Sequence, residues 1–156
     1  MKISRTGILN LFSFILISTV LTSCTVERDI SLDYIANEIS IEDDDRLVEG
    51  KASDLRRIIG INPNEVDEFI YYKPKSTMDV SEVLLIKVKD ESQKESLQEL
   101  LEKHIESQTE KFKSYSPKNC ALLEDYKIKN IGGYIMYAVS ENVEEVSDDF
   151  VKLFKK

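Results

Sequence analysis

The residues best suited to chemistry lie near the N-terminus, where Leu21, Thr22 and Ser23 precede Cys24. A cysteine thiolate is a strong nucleophile, so Cys24 could accept a covalent group. The small side chains of Thr22 and Ser23 would let a peptidase approach the bond between Ser23 and Cys24. An aliphatic residue, two small residues and a cysteine therefore predict a site of modification and cleavage.

The segment before Cys24 has the three-part order of a secretory signal peptide. Lys2 and Arg5 give it a positive start, and the 15 residues from Gly7 to Leu21 are mostly apolar. As a helix this run would extend about 22 Å, which is shorter than the ~30 Å hydrocarbon core of a membrane. We predict a signal peptide at residues 1–23. A signal peptide cut elsewhere, or an uncleaved anchor helix, is the alternative.

In this order, the charged start, the apolar run and Leu21–Cys24 resemble the lipobox region of bacterial lipoproteins. The resemblance implies a diacylglyceryl group on the Cys24 thiol and cleavage between Ser23 and Cys24. Two acyl chains give stable membrane anchoring, whereas one chain is marginal. We expect residues 24–30 to form a lipidated tether. Residues 31–156 would then be a single domain, anchored by lipid on the extracytoplasmic side of the cell membrane.

The composition is that of an ordinary folded domain, with 42% apolar and 32% charged residues. The formal charge of −8 argues against nucleic acid as a partner, because binding to phosphate backbones needs clustered lysine and arginine. Only two cysteines are present, and neither lies in a Cys/His cluster. We therefore expect no structural zinc site, no other metal and no cofactor.

Hydrophobic periodicity predicts an α+β domain, in which helices pack on an antiparallel sheet of about four strands. The strands form two hairpins separated by a long helix, and they are expected at 68–73, 81–89, 126–129 and 134–140. The long helix is expected over 91–113, with Asp90 as its N-cap and Gln93 at the third position. Shorter helices are expected after Ser31, over 51–59 before Gly60, after Ser116 and over the C-terminal segment.

A helical wheel places His104 and Gln108 within the apolar stripe of the long helix, and Tyr115 joins them if the helix continues. One hypothesis is a polar pocket between this helix and the sheet. The other is that His104 and Gln108 bond to neighbouring backbone or reach the helix edge, because buried polar groups must find partners. We favour the second hypothesis.

Two adjacent tyrosines, Tyr71 and Tyr72, are expected on opposite faces of a strand. An exposed tyrosine would indicate an interface with a partner. The preferred interpretation is that strand tyrosines pack beneath helices.

From about Phe69 to Phe154 the chain resembles a family of uncharacterised bacterial lipoproteins, a domain of unknown function of the low-GC Gram-positive type. The resemblance rests on the strand at 82–90, the long helix ending near Phe112, Tyr115 with Pro117, the segment 121–124, and Gly133 with Tyr134. It implies a lipoprotein and supplies no catalytic or binding residue.

The sequence also contains none of the usual motifs for a catalytic serine, a catalytic metal or a phosphate loop. We therefore expect a non-enzymatic module that binds a protein or another envelope component. The alternatives are a lipoprotein that binds a small molecule and a surface enzyme that acts through carboxylates.

Overall fold

The computed structural model describes residues 29–41 and 46–155, and they form an α+β fold, as predicted. The helices are α1 (Leu32–Glu38), α2 (Ala52–Asp54), α3 (Lys94–Phe112), α4 (Pro117–Glu124) and α5 (Val143–Phe154). The strands are β1 (Leu47–Glu49), β2 (Val66–Pro74), β3 (Glu82–Val88), β4 (Lys127–Ile131) and β5 (Tyr134–Val139). They form one antiparallel sheet in the order β1-β2-β3-β5-β4, so β3 is central.

Helices cover both faces of this sheet. We call one the α3 face, where α3, α4 and the π-helical turn Leu55–Ile59 pack, and the other the α5 face, where α1 and α5 pack. Side chains alternate between faces along a strand. On β3, accordingly, Leu84 and Ile86 belong to the core of the α3 face, while Val83 and Leu85 belong to that of the α5 face. Coverage on both sides explains why β3 is almost continuously apolar.

Local signals set the helix ends. The Asp90 side chain accepts from the Ser92 amide, and the Gln93 side chain accepts from the Asp90 amide. This arrangement opens a 3₁₀ turn at Glu91–Gln93 that leads into α3. Gly60 ends the π-helical turn with φ of 89°, a left-handed conformation that favours glycine. The predicted start of the long helix and the predicted role of Gly60 are confirmed.

The sheet has one strand more than the four or so expected. The additional strand, β1, is an edge strand of three residues that pairs with β2. A segment this short has too few residues to show an alternating pattern. The last hairpin turns at Gly132 and Gly133, between the two expected strands, with Gly132 at φ of 52°, and β4 extends to Ile131, beyond its expected end at residue 129.

The tyrosines of the strands pack under helices, as the preferred interpretation expected. Tyr71 is fully buried in the α3 face, and half-buried Tyr72 packs against the core of the α5 face. Within the described ranges, no helix is long and apolar enough to cross a membrane. The predicted signal peptide at residues 1–23 and the predicted lipidation site Cys24 lie outside the described residues.

The central strand β3 has two ends with different surroundings, which we call the loop end and the tether end. The loop end is where β2 leads into β3, at residues 75–81. The tether end is where β3 finishes, near Lys87, and where the first described residue, Asp29, pairs with that lysine. The two ends lie on opposite sides of the domain along the strand direction, because β3 starts at one and finishes at the other.

Candidate functional site

Four polar side chains form a buried cluster within the α3 face, and we call it the polar cluster: Tyr71, Glu82, His104 and Tyr137. The Tyr71 hydroxyl donates to Glu82 Oε2 at 2.6 Å, and the Tyr137 hydroxyl donates to Glu82 Oε1 at 2.7 Å. His104 Nε2 lies 2.6 Å from the same Oε1. Glu82 is only 3% exposed, so these three contacts replace the water that a carboxylate would otherwise bind.

The register of the sheet brings this cluster together. Tyr71 on β2 and Tyr137 on β5 both pair with Leu84 of the central strand, one from each side. Glu82 precedes Leu84 by two residues, so its side chain points to the same face. The two tyrosines therefore reach one carboxylate from opposite sides, and His104 of α3 covers it.

Burial raises the pKa of Tyr71 and that of Tyr137 far above the usual range, and the nearby charge of Glu82 adds to both shifts. Both side chains therefore stay protonated at neutral pH, and each hydroxyl has one hydrogen to donate. The direction of the hydrogen bond between His104 Nε2 and Glu82 Oε1 depends on the tautomer of the histidine ring. The His104 ring also meets Tyr137 edge-on, with centroids 6.3 Å apart at 84°.

A close backbone approach fixes the position of Tyr71. The Gly50 amide donates to the Tyr71 carbonyl at 2.6 Å, and Gly50 itself is buried. A Cβ atom at Gly50 would lie 2.8 Å from Cδ1 of the tyrosine ring. Because that ring is fully buried, the absence of a side chain at residue 50 allows β1 to pack beside the cluster.

A cleft of about 250 Å³ opens beside the polar cluster at the loop end of the sheet, and Glu82 and Gln108 both line it. Four basic side chains also line this cleft: Arg57, Lys73, Lys75 and Lys111. We call it the basic cleft. Its charge contrasts with that of the whole chain, which is −8.

Three of these basic side chains, those of Arg57, Lys73 and Lys111, have defined contacts at the cleft. Arg57 Nη2 lies 2.8 Å from Asp54 Oδ1, and Lys73 Nζ lies 3.9 Å from the same oxygen. The Lys51 amide and Arg57 together lower the pKa of Asp54. Across the cleft, Lys111 Nζ donates to the Thr77 carbonyl at 3.1 Å. Two cations thus share one carboxylate, and a third contacts a neutral oxygen.

The structure separates the three residues of the predicted pocket. Gln108 lines the basic cleft, and His104 is buried behind it, bonded to the Glu82 side chain. Tyr115 lies beyond the end of α3 and is 50% exposed, with its ring 5.4 Å from that of Phe112. Because the helix ends at Phe112, Tyr115 is not carried around to the cleft.

Sequence reasoning missed Glu82. A charged residue at the start of an apolar strand is typical of a strand end that faces solvent. The alternation of side chains along a strand could have identified it. Glu82 lies two and four residues before Leu84 and Ile86, so it points to the same face as these buried residues. Among the described residues, no group of three or more His, Cys, Asp or Glu side chains is placed to hold a metal ion.

At the tether end the chain enters the domain through a fixed contact. Asp29 Oδ1 lies 2.6 Å from Lys87 Nζ, and this pairing lowers the pKa of Asp29. The Tyr134 hydroxyl donates to the Ile30 carbonyl at 2.7 Å and accepts from the Ile30 amide at 2.8 Å. These bonds hold residues 29 and 30 at the opposite end of β3 from the basic cleft.

Comparison with known proteins identifies a family but no function. The sequence profile of a domain of unknown function, DUF4358, matches residues 40–140. This range includes the whole polar cluster and the four basic residues of the cleft. No curated protein and no solved structure matches the chain.

Proposed function

This chain belongs to the DUF4358 family of domains of unknown function, and we propose that it is a lipid-anchored extracytoplasmic protein that binds a small ligand in its basic cleft. The anchor rests on the lipobox pattern Leu21–Cys24 behind a charged start and an apolar run. The binding role rests on one observation above all, the basic cleft beside a satisfied polar cluster.

The basic cleft favours one of the two binding hypotheses over the other. A partner protein was expected to use an exposed, tyrosine-bearing face of the sheet. Helices cover both faces, and Tyr71, Tyr134 and Tyr137 are each at most 2% exposed. A concave cleft lined by convergent polar groups is the usual form of a small-molecule site. This favours a small ligand over an envelope protein as the partner.

Binding is also favoured over catalysis by carboxylates. An acid or base must reach the proton that it transfers. The two oxygens of Glu82 are already bonded to Tyr71, Tyr137 and His104 inside the core. The second carboxylate of the cleft, Asp79, accepts from the amides of Val80 and Ser81 at 2.7 and 3.0 Å. The carboxylates of Glu82 and Asp79 are therefore engaged in structural hydrogen bonds, which favours a binding module without catalytic activity.

The proposed anchor determines how the domain is oriented. From Cys24 to Asp29 the chain advances five residues, which span at most about 17 Å when fully extended. The tether end would therefore lie close to the membrane surface. The basic cleft, at the other end of β3, would open away from the membrane toward soluble ligands.

The anchor is tested by membrane fractionation and intact-mass analysis of the full chain, produced in a bacterial host. We expect the wild-type protein in the membrane fraction, cut before Cys24 and heavier by a diacylglyceryl group. Cys24→Ala should lose the lipid and this cleavage. Cys120→Ala is the matched control, because it removes the only other cysteine and should be processed normally. Identical processing of wild type and Cys24→Ala would refute the lipid anchor.

A further inference from the structure

We propose that the basic cleft binds a small soluble anion that carries phosphate or carboxylate groups. The inference deepens the proposed function by naming the ligand class, and it depends on that proposal only for the binding role of the cleft. It does not depend on the lipid anchor, because the residues involved lie at the loop end of the folded domain.

The first support is the local charge. Four cationic and two anionic side chains line the cleft, namely Arg57, Lys73, Lys75 and Lys111 against Asp79 and Glu82. The lining thus carries an excess of positive charge in a chain whose formal charge is −8. A concave site lined by one sign of charge concentrates ligands of the opposite sign.

The second support is that the two carboxylates of the cleft are already occupied. Asp79 Oδ1 accepts from two backbone amides, and Asp79 Oδ2 lies 4.0 Å from Arg46. Glu82 accepts from both tyrosines of the polar cluster. Lys73 lies 3.9 Å from Asp54 and Lys111 donates to the Thr77 carbonyl, and neither contact uses all three donors of an ammonium group, so both lysines can donate to an incoming ligand.

The third support is the arrangement of the basic groups around the cleft. Arg57 and Lys73 come from the π-helical turn and the end of β2, and they meet at Asp54. Lys111 comes from α3 and is anchored to Thr77 on the connecting loop. A ligand between them would accept charge-assisted hydrogen bonds, which phosphate and carboxylate groups form readily, from three elements.

The size of the cleft limits the ligand. Its volume of about 250 Å³ is below the range of roughly 300–1,000 Å³ that is typical of drug-sized ligands. Inorganic phosphate or a short polycarboxylate fits this space, whereas a polymer would have to lie outside it. Size and charge together indicate a small anion.

Isothermal titration calorimetry tests the proposal on the full chain purified in detergent. The probes are inorganic phosphate and citrate, each at constant ionic strength, with chloride as the reference anion. We expect saturable binding of at least one probe. In Lys73→Gln/Lys111→Gln, the loss of two charge-assisted contacts should weaken binding roughly tenfold or more.

Matched variants separate a site from general charge effects. Lys103→Gln/Lys113→Gln removes the same charge from lysines that are 69% and 55% exposed and paired with Glu99 and Glu110. This control should bind like wild type. Lys73→Arg/Lys111→Arg keeps both charges and should retain binding. Retained binding would show that the positive charge at these two positions, and not the lysine side chain itself, is what the ligand needs.

The outcomes distinguish the two proposals and the two sources of the ligand chemistry. Preference for phosphate over citrate, or the reverse, identifies which group the cleft recognises. Binding that is equal in Cys24→Ala and wild type would support the anion site whether or not the protein is lipidated. Absence of saturable binding, or equal weakening in the cleft and control variants, would overturn the anion site and leave the anchor untouched.

Discussion

On the α5 face, helices α1 and α5 cover a core whose buried polar groups are hydroxyls. Tyr134 is the largest of the side chains that carry these hydroxyls, and its hydroxyl bonds to the backbone of Ile30. On the α3 face, the same central strands bury a carboxylate, an imidazole and two phenols as one connected cluster. The two faces share the strands β3 and β5, and they differ in the helices that cover them and in the side chains that the strands direct to each side.

This difference indicates what each face does. Apolar packing of the α5 face stabilises the domain without any need for paired charges. A buried carboxylate has a desolvation penalty that its partners must offset, and an apolar core is often as stable. The α3 face keeps this costly group directly beside the basic cleft. Under the proposed function, the polar cluster supports the wall of the basic cleft as well as the core, whereas the α5 face contributes apolar packing.

The largest expected effect comes from removing the centre of the polar cluster. Glu82→Ala would leave Tyr71, Tyr137 and His104 without their common partner in a dry core, so we expect a loss of about 3–5 kcal/mol in the free energy of unfolding. Urea unfolding of the full chain measures it.

The matched control is Val83→Ala, the next residue on the same strand but on the α5 face. Removing its two methyl groups should destabilise the protein by about 2 kcal/mol. A loss for Glu82→Ala no greater than that for Val83→Ala would show that the cluster is not cooperative, and the contrast between the two faces would fail.

The next effect is a loss of stability in alkaline solution. The pKa of Tyr71 and that of Tyr137 are raised in the folded protein, whereas a tyrosine in the unfolded chain ionises near pH 10. Above about pH 10 the unfolded state releases protons that the folded state retains, so stability falls as pH rises. Each tyrosine should contribute about 1.4 kcal/mol per pH unit.

Urea unfolding between about pH 9 and 11 measures this slope, given the ordinary tyrosine pKa. In Tyr71→Phe/Tyr137→Phe the total loss of stability between about pH 9 and 11 should be smaller by about 2.7 kcal/mol, about 1.4 kcal/mol for each tyrosine, because the full slope is reached only above about pH 10. Parallel curves for wild type and the double variant would show that these tyrosines ionise in the folded state as readily as in the unfolded chain.

A smaller effect is expected when either of two tyrosines of β5 is replaced by phenylalanine. Tyr137 and Tyr134 lie on opposite faces of β5, and each makes a short hydroxyl hydrogen bond. Tyr137→Phe removes a donor from a buried carboxylate and should destabilise by about 1.5–3 kcal/mol. Tyr134→Phe removes bonds to the Ile30 backbone and a long contact of 3.4 Å to Asp29 Oδ1, all only partly buried, and should destabilise by about 1 kcal/mol. Thermal unfolding of both variants checks the order, and a reversed order would contradict the assignment of the charged group to the α3 face.

The sequence predicted those parts of the fold that depend on neighbouring residues. The capping pair Asp90 and Gln93 and the left-handed Gly60 both act within one helical turn, so their patterns were readable. The strand β1 was missed because its three residues are defined by pairing with β2, more than twenty residues later in the chain. Pairing with a distant strand cannot be recognised from the sequence of three residues alone.

The candidate site was also predicted only in part, because its contacts join residues that are distant in the sequence. The apolar stripe located His104 and Gln108 on the inner side of α3, but not the partner of His104, which lies 22 residues earlier on β3. Tyr115 was grouped with them on the assumption of a longer helix. Pro117 disfavours helical backbone at the residue before it, and it follows shortly after the observed end of α3 at Phe112.

The smallest expected effect concerns a hydroxyl next to Glu82 in the sequence. Ser81 is 1% exposed, and its Oγ atom has no hydrogen-bond partner among the residues that the structure describes. A buried hydroxyl without a partner carries a desolvation cost. Ser81→Ala should therefore be neutral or should stabilise the protein by up to about 1 kcal/mol.

Ser140→Ala is the matched control for this change, because the Ser140 hydroxyl donates to Asn142 Oδ1 at 2.9 Å. Its removal should destabilise the protein by about 0.5–1 kcal/mol, so the two substitutions should have opposite signs or clearly different sizes in urea unfolding. A loss for Ser81→Ala as large as that for Ser140→Ala would mean that Ser81 is hydrogen-bonded. With the expected signs, Ser81 and Glu82 would show that, at adjacent residues where the loop meets β3, a buried polar side chain is costly without a partner, whereas one that has partners cannot be removed without loss.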